Sequence, residues 1–506
     1  MIGLRKVTAF AVAAVLMLAG CSTTTGGAGG GDPAAAGDKL TAAGTYPIES
    51  LDPHGAQGAT TGTQLAAQAI FSRLVRPTSD GRVEGDLAEK WEAGATAAEW
   101  TFHLRSGVTF SDGKPVAAAD VVASFERMMS LDGPNAANFP DYKMTATAET
   151  EVKLTAPAPD ASIPRKLGLF YVLPRAVTAQ DTAFFEHPIG SGPFTVDRFA
   201  PGEVLSMSAN AKHWGGAPKL GHLDVRTIPD LSARLTALRT GEVDVVWGIP
   251  DDQLPTLSGA DGLTVKTVPS TAVFTMWFNS SVPALKTAEV RRALWQSVDF
   301  ATIIKQLYPQ TGALSDGLVA PAVLGYAKQQ PVTHDTQAAK AALEAAGFDF
   351  SKKLRLQFSD AEFRPFVQAV ASGLAAAGVQ VDVLEKEKAV FTEDLLALNW
   401  DINFQQLATP TYDAASNLGR LYTCAAKRTG YCNKELDKLL AEAGASPDEA
   451  ERADLYGQAG KIIWADAVGM YPMTVQLAYS WRSRVTGFTP DPSGLPDFSH
   501  VRLAGA

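Results

Sequence analysis

The sequence predicts an α/β protein built from more than one lobe. Two observations carry this expectation. The chain has 506 residues, too many to share one hydrophobic core. Residues 353–407 also alternate strand-like and helix-like patterns: KLRLQFS, a helix over 362–376, VQVDVLEK, a helix over 390–398, then DINFQQL. That β-α-β-α-β order marks a lobe with a parallel sheet. With 46% apolar and 19% charged residues, the chain is neither disordered nor fibrous. Its formal net charge is −10, and loss of Arg5 and Lys6 with a leader would make it more negative. Such a charge argues against nucleic acid or an anionic lipid surface as a partner.

The chain opens with MIGLRKVTAFAVAAVLMLAGCS. Arg5 and Lys6 form a basic start. Val7 to Ala19 is an uncharged run of thirteen residues, shorter than the roughly 20 needed to span a bilayer. It ends in Leu18-Ala19-Gly20-Cys21, which resembles the lipobox read by bacterial lipoprotein signal peptidase. The resemblance implies a signal peptide over 1–20, cleavage before Cys21 and lipidation of that residue. Residues 21–38 read as a flexible Ser/Thr/Gly-rich tether that cannot pack a core. The expected product is lipid-anchored and extracytoplasmic, held at the cell membrane on the surface or in the periplasm.

From Lys39 the pattern changes. LTAAGTYPIESLDPH starts as a strand and breaks into a Pro-punctuated loop. Residues 63–76 place Leu65, Ala69, Ile70 and Leu74 on one helical face. In EWTFHLRSGVTF, Trp100, Phe102 and Leu104 alternate with polar residues, the period of a half-buried strand. SDGKP reads as a turn, and 116–129 as a helix with Val121, Val122, Phe125 and Met129 apolar.

EGDLAEKWEAG and WTFHLRSGVTFSDGKPVAAADVVASFERM resemble the family 5 extracellular solute-binding proteins of ABC importers, the dipeptide-, oligopeptide- and nickel-binding group. Further blocks resemble it in order: GSGPFTVDRFAPGEVLSMSANAKHWGGAPKLGHLDVRTIPD, LTALRTGEVDVV, WFNSSVPALKTAEVRRAL and DTQAAKAALEAAGF. They run from about residue 39 to about residue 487. The resemblance implies a two-lobed, periplasmic-binding-protein-like fold with a hinge and an extra subdomain in the first lobe. The first lobe would be 39–270 plus 477–506, with the extra subdomain at 59–189, and the second lobe 271–476. The crossing segments would be STAVFTMWFN (270–279) and PMTVQLAYS (472–480), both strand-like and apolar. It further implies a monomer that encloses a peptide or other small solute between its lobes and delivers it to a membrane permease. The seven histidines are scattered and never spaced i, i+4, so no metal is assigned, and no cofactor is.

The resemblance places the ligand-facing candidates. Tyr46 lies in the loop after the first strand, Trp247 ends GEVDVVW, and Trp277 and Asn279 lie on a crossing segment. Core packing is the rival reading for each aromatic, and turn closure for Asn279. Peptide-binding relatives commonly carry a W-x-x-D-type stretch in the second lobe, whose aspartate meets the peptide ammonium. Here the stretch reads INFQQLATPTYDAASN, with Gln406 and Thr409 near those positions and Tyr412 beside Asp413. This departure puts recognition of a free amino terminus in doubt. Asp413 is the nearby carboxylate that could meet an ammonium; its rival role is to cap the short helix of AASNLGRL.

Enzyme motifs are scarce. There is no G-x-S-x-G, H-E-x-x-H or Walker loop. Ser111-Asp112-Gly113-Lys114 matches S-x-x-K formally, but Asp-Gly followed by Pro115 is turn chemistry and does not hold Ser and Lys one helical turn apart. No catalytic residue is assigned, and a secreted hydrolase is the weaker alternative; a cell-surface adhesion or signalling lipoprotein is the other. Cys424 and Cys432 are read as a local disulfide in an oxidising compartment. Metal binding is the rival, with no His, Asp or Glu between them.

Overall fold

The computed structural model describes residues 38–504. The leader, Cys21 and nearly all of the expected tether lie outside the described residues. No helix among the described residues is long and apolar enough to cross a membrane.

One sheet of eleven strands runs through the molecule. Its spine is a pair of long antiparallel strands, Leu263–Phe278 and Gly469–Arg482, matched from Leu263 opposite Arg482 to Trp277 opposite Gly469. These strands contain both segments expected to cross between lobes. Their register slips between Pro269 and Val273, where proline has no N–H for the ladder. Before the slip, Gly469–Arg482 also pairs with Val245–Trp247, which neighbours Lys39–Gly44 in parallel. Beyond it, Leu263–Phe278 also pairs with Ile402–Ala408. The spine therefore belongs to two differently built ends of one sheet.

At the far end, Leu354–Phe358 is parallel to both Val381–Glu385 and Ile402–Ala408. The helices Arg364–Ala376 and Lys388–Leu396 connect them. This is the expected β-α-β-α-β unit. The first helix starts two residues later than its periodicity suggests, because Ala361–Phe363 forms a 3-10 turn and Pro365 then sits in the first helical turn.

The apolar interior falls into separate clusters. One is built from residues between Val273 and Met473. A second joins the Leu40–Phe71 region to Tyr171–Trp247 and to Tyr479–Leu503, so the C-terminal segment returns to the N-terminal half. A third holds Leu74 to Val172. It lies under a four-stranded antiparallel sheet, in the order Ala88–Ala93, Glu99–Leu104, Glu151–Thr155, Lys143–Ala148. Trp100, Phe102 and Leu104 are all buried there, as their alternation predicts. The helix Ala118–Leu131 buries Val121, Phe125 and Met128 in the same cluster, and Asp120 closes its N-terminus on the Ala117 N–H at 2.9 Å.

Two local expectations resolve differently. The helix expected over 63–76 spans only Thr61–Ile70. The Ile70 carbonyl is taken by the Gly192 N–H at 2.9 Å, and the chain leaves as extended segments at Ser72–Arg73 and Val75–Pro77. A distant backbone donor thus ends a helix that periodicity alone would continue. SDGKP is a turn: Phe110 N–H donates to the Lys114 carbonyl at 2.9 Å, Gly113 has φ +91°, and Thr109 bridges Pro115. Ser111 and Lys114 are therefore not one helical turn apart.

Candidate functional site

A cavity of about 910 Å³ lies where the second and third clusters face the residues after Ile402–Ala408. Its walls come from several separate stretches of chain. Thr61, Gln64 and Arg73 lie at or just after the first helix, and Tyr142, Asp160 and Lys166 border the four-stranded sheet. Thr271, on the spine, marks the register slip. Tyr412, Asn417 and Arg420 follow Ile402–Ala408, and Asp491, Ser493 and Leu495 belong to the returning C-terminal segment. The cavity thus opens between the N-terminal half with the returning C-terminal segment on one side and the stretch after Ile402–Ala408 on the other.

The walls meet through a buried charge cluster. Arg165 donates to the Tyr412 carbonyl at 3.1 Å and the Gly81 carbonyl at 2.6 Å, and pairs with Glu449 at 2.9 Å. Arg452 donates to the Ala161 carbonyl at 2.5 Å, and Ala161 N–H donates to the Gly444 carbonyl at 2.8 Å. Asp413 sits among them, fully buried. Its Oδ1 accepts from Ala415 N–H at 2.9 Å, and its Oδ2 lies 3.1 Å from Arg452 and 3.7 Å from Arg165. The Arg452 approach is close enough to pair but is not aligned as a hydrogen bond. Burial pushes the Asp413 carboxyl up, opposed by Arg452, the Ala415 N–H and Arg165.

This arrangement changes the reading of several candidates. Asp413 does cap the turn that follows it, but it faces arginines rather than the cavity, so it has no free side to offer a ligand ammonium. Trp277 is core: its indole donates to the Tyr422 hydroxyl at 2.9 Å, and the rings meet edge to face. Asn279 is also occupied, donating to the Leu398 and Trp400 carbonyls at 2.9 Å each and accepting from Ser281 N–H. Trp247 packs in the N-terminal core against Gly44, where an added Cβ would sit 2.7 Å from the indole. Thr409 is buried, accepting from Asn417 at 2.8 Å.

Two candidates lie at the surface outside the cavity lining. Gln406 is exposed on its strand opposite Phe274. Tyr46 is 62% exposed; partial desolvation and then the charges of Glu362 and Asp360 raise its phenol above the ordinary value. Tyr412 alone among the ligand candidates lines the cavity. It is held at φ +54°, with its N–H on the Thr409 carbonyl at 3.0 Å. Such a conformation is costly for a bulky residue, and here the turn and the Arg165 contact hold it.

Sequence reasoning missed Arg73, Asp160, Lys166, Arg420 and Asp491. The first lies inside the segment read as helix. The last lies in TPDPSGLP, whose polar turn residues follow a crossing strand and offered the one usable signal. Cys424 and Cys432 are bonded to each other.

The comparisons accord with this architecture. The family model "Bacterial extracellular solute-binding proteins, family 5 Middle" matches residues 82–429. The chain is 29% identical over 446 residues to the probable D,D-dipeptide-binding periplasmic protein DdpA of Escherichia coli, covering 83% of this chain and 86% of that one. It is 26% identical over 486 residues to the probable di/tripeptide-binding protein 5 of Pseudomonas aeruginosa, covering 88% and 91%. Among solved structures, HbpA2 from Haemophilus parasuis superposes with a TM-score of 0.84 at 22% identity, over 92% of this chain and 99% of that one. The binding protein DppA from Helicobacter pylori, solved with the peptide STSA, superposes at 0.74 and 23% identity, over 92% and 98%. With the family model spanning well over half the chain and the two-lobed fold shared with these structures, the protein belongs to the bacterial extracellular solute-binding proteins of family 5.

Proposed function

We propose that the chain is the receptor of an ABC importer that captures a short peptide or similar small solute between its lobes and hands it to a membrane permease. The observation that carries this reading is the cavity of about 910 Å³. Its size suits a small solute, and its walls bring the N-terminal half and the returning C-terminal segment against the residues after Ile402–Ala408. The relatives' names, which include di- and tripeptide-binding proteins, support a peptide. In this reading the first lobe is 39–270 plus 477–506 with an extra subdomain at 59–189, the second lobe is 271–476, and the receptor works as a monomer.

Ligand is expected to raise the melting temperature in step with ln(1 + [L]/Kd) and to compact the particle in small-angle scattering as the hinge closes. A screen of peptides, amino acids, sugars and metal complexes checks both. A screen in which no solute does either would favour an adhesion or signalling lipoprotein.

The anchor is part of the same proposal. The lipobox-like Leu18-Ala19-Gly20-Cys21 and the tether support a diacylated protein in the membrane fraction. Cys21→Ala is expected to release it or leave it unprocessed, as read by fractionation and mass spectrometry of the amino terminus. A wild-type protein that is wholly soluble with an unmodified Cys21 would overturn the anchor.

A further inference from the structure

A second hollow, of about 410 Å³, lies beside the solute cavity. Only a thin run of chain divides the two. Asp160 and Ser162 line the cavity, while Ala161 between them and Arg165 just beyond line the hollow. Facing them, Gly444 borders the cavity, and Glu449 and Arg452 border the hollow. The partition is therefore the segment 160–165 meeting the segment 444–452. Its two sides belong to different apolar clusters, Ala161 and Ile163 to the third and Ala443 and Tyr456 to the first, so no common core joins them here.

Polar contacts join them instead, and an arginine reaches across from each side. Arg452 donates to the Ala161 carbonyl at 2.5 Å, beside the bond from Ala161 N–H to the Gly444 carbonyl at 2.8 Å. Arg165 reaches the other way: Nε and Nη2 donate to one Glu449 oxygen at 3.1 and 2.9 Å, and Nη1 donates to the Tyr412 carbonyl at 3.1 Å. From its own side Arg165 has the Gly81 carbonyl at 2.6 Å. Gly81 itself touches the opposite side, where an added Cβ would sit 1.9 Å from the Ala322 carbonyl oxygen. Parted, one side of this bridge keeps Arg165 as a lone cation, and the other keeps Asp413 and Glu449 with only Arg452 between them. Shut, these charges balance. Arg165 is 4% exposed and Arg452 1%, so salt screens their pairs little.

We propose that Arg165 sets the length of ligand this receptor accepts, by holding shut, with Glu449 and Arg452, the partition between the solute cavity and the hollow. This rests on the peptide-receptor reading above. In that reading Arg165 belongs to the extra subdomain of the first lobe and its partners across the partition to the second lobe, so the partition is also a contact between lobes. A ligand that fits the cavity leaves every bond of the partition in place. A longer one must part it, losing the Arg165 pairs, and extends into the hollow, which Trp91 and Trp100 line. Arg165 acts on the ligand through the partition and is a positioning residue.

The test is isothermal titration with free alanine–glycine peptides, from dipeptide to octapeptide. On the wild type, affinity is expected to fall at least about tenfold beyond one length, the scale of a charge-assisted hydrogen bond that must break. Arg165→Gln should move that fall to longer peptides and raise the ratio of long- to short-peptide affinity at least about tenfold. Loss of a merely structural residue would weaken all lengths alike. Glu449→Gln, on the half-exposed rim, should shift the ratio the same way by less, and it carries the comparison if melting curves show that Arg165→Gln does not fold. With no ligand added, the Ala161 amide should exchange with deuterium faster in the variant than in the wild type, because its bond to Gly444 opens with the partition. A wild type whose affinity does not fall across the series, or a fall at the same length in wild type and variant, overturns the assignment while the peptide reading stands. If no peptide binds at any length, the peptide reading fails, and exchange at Ala161 decides the partition: faster exchange in the variant supports it, and unchanged exchange overturns it.

Discussion

Asp413→Ala is expected to lower the unfolding free energy by about 3–5 kcal/mol, the cost of breaking a fully buried ion pair from one side. The variant leaves Arg452, itself almost wholly buried, beside Arg165 with no carboxylate between them, and removes the acceptor for Ala415 N–H. Glu449 substitutes only in part: it reaches Arg452 at 3.6 Å, but from the half-exposed rim, where it already pairs with Arg165 at 2.9 Å. Burial raises the Asp413 carboxyl despite two arginines, so the intact pair gains little over an apolar core, yet the broken pair is expensive. That asymmetry makes a second variant informative. Asp413→Leu combined with Arg452→Met is expected to recover most of the loss, since neither charge remains. Asp413→Asn keeps the cap but not the charge and should fall between wild type and Asp413→Ala. Urea denaturation measures all three. A loss below about 1 kcal/mol for Asp413→Ala, the range of exposed pairs, would mean that the cluster is solvated in solution.

Acidification from pH 6.5 to 4 is expected to destabilise the protein through His54 by on the order of 3 kcal/mol. His54 is buried, with Nε2 on the Tyr171 carbonyl at 2.9 Å and its ring stacked on Phe170. Nε2 must therefore be the protonated, donating nitrogen. Nδ1 is buried with no partner, so a second proton there would have nothing to bond. Desolvation first, and then the neighbouring Arg127, hold the imidazole at about 4, against opposing pulls from the Tyr171 carbonyl and Asp52. In the unfolded chain the ring titrates near its ordinary 6.5. Between these values the unfolded state binds a proton that the folded state refuses, so stability falls as pH falls. Above pH 6.5 the contribution is fully present. His54→Gln retains a donor for the Tyr171 carbonyl and does not titrate. The difference in unfolding free energy between wild type and this variant, measured by urea titration across the window, should shrink as pH falls; a difference independent of pH would show that His54 is charged or exposed in the folded protein.

Residues 353–407 show why part of the fold was legible. Leu354, Leu356 and Phe358 alternate or run apolar because the strand is buried on both faces, and Phe366, Val367, Val370 and Leu374 recur at helical spacing because one face packs on it. Both patterns are local consequences of burial. The strand from Glu99 and the turn at SDGKP are of the same kind. The segment 63–76 was not legible, because Gly192, more than a hundred residues away, takes the carbonyl at which the helix ends.

The candidate site divides along the same line. The stretch around Tyr412 and Asp413 was identifiable from its polar, aromatic composition between a strand and a short helix, and it does border the cavity. Its chemistry was not, because Asp413 meets Arg165 and Arg452, which come from other parts of the chain. Trp277 lies on the long strand Leu263–Phe278 and Asn279 just beyond its end, but Tyr422 and the carbonyls at Leu398 and Trp400 occupy their polar atoms. The amino-acid order was sufficient for class, family resemblance, parallel unit and the strand character of residues 270–278 and 472–480, since those depend on periodicities and blocks contiguous in the chain. Which carboxylates are paired and which line the cavity depended on tertiary contacts. Asp413 and Asp491 each accept from the N–H two residues on, and only the arginines folded to within ion-pair distance of the first distinguish them.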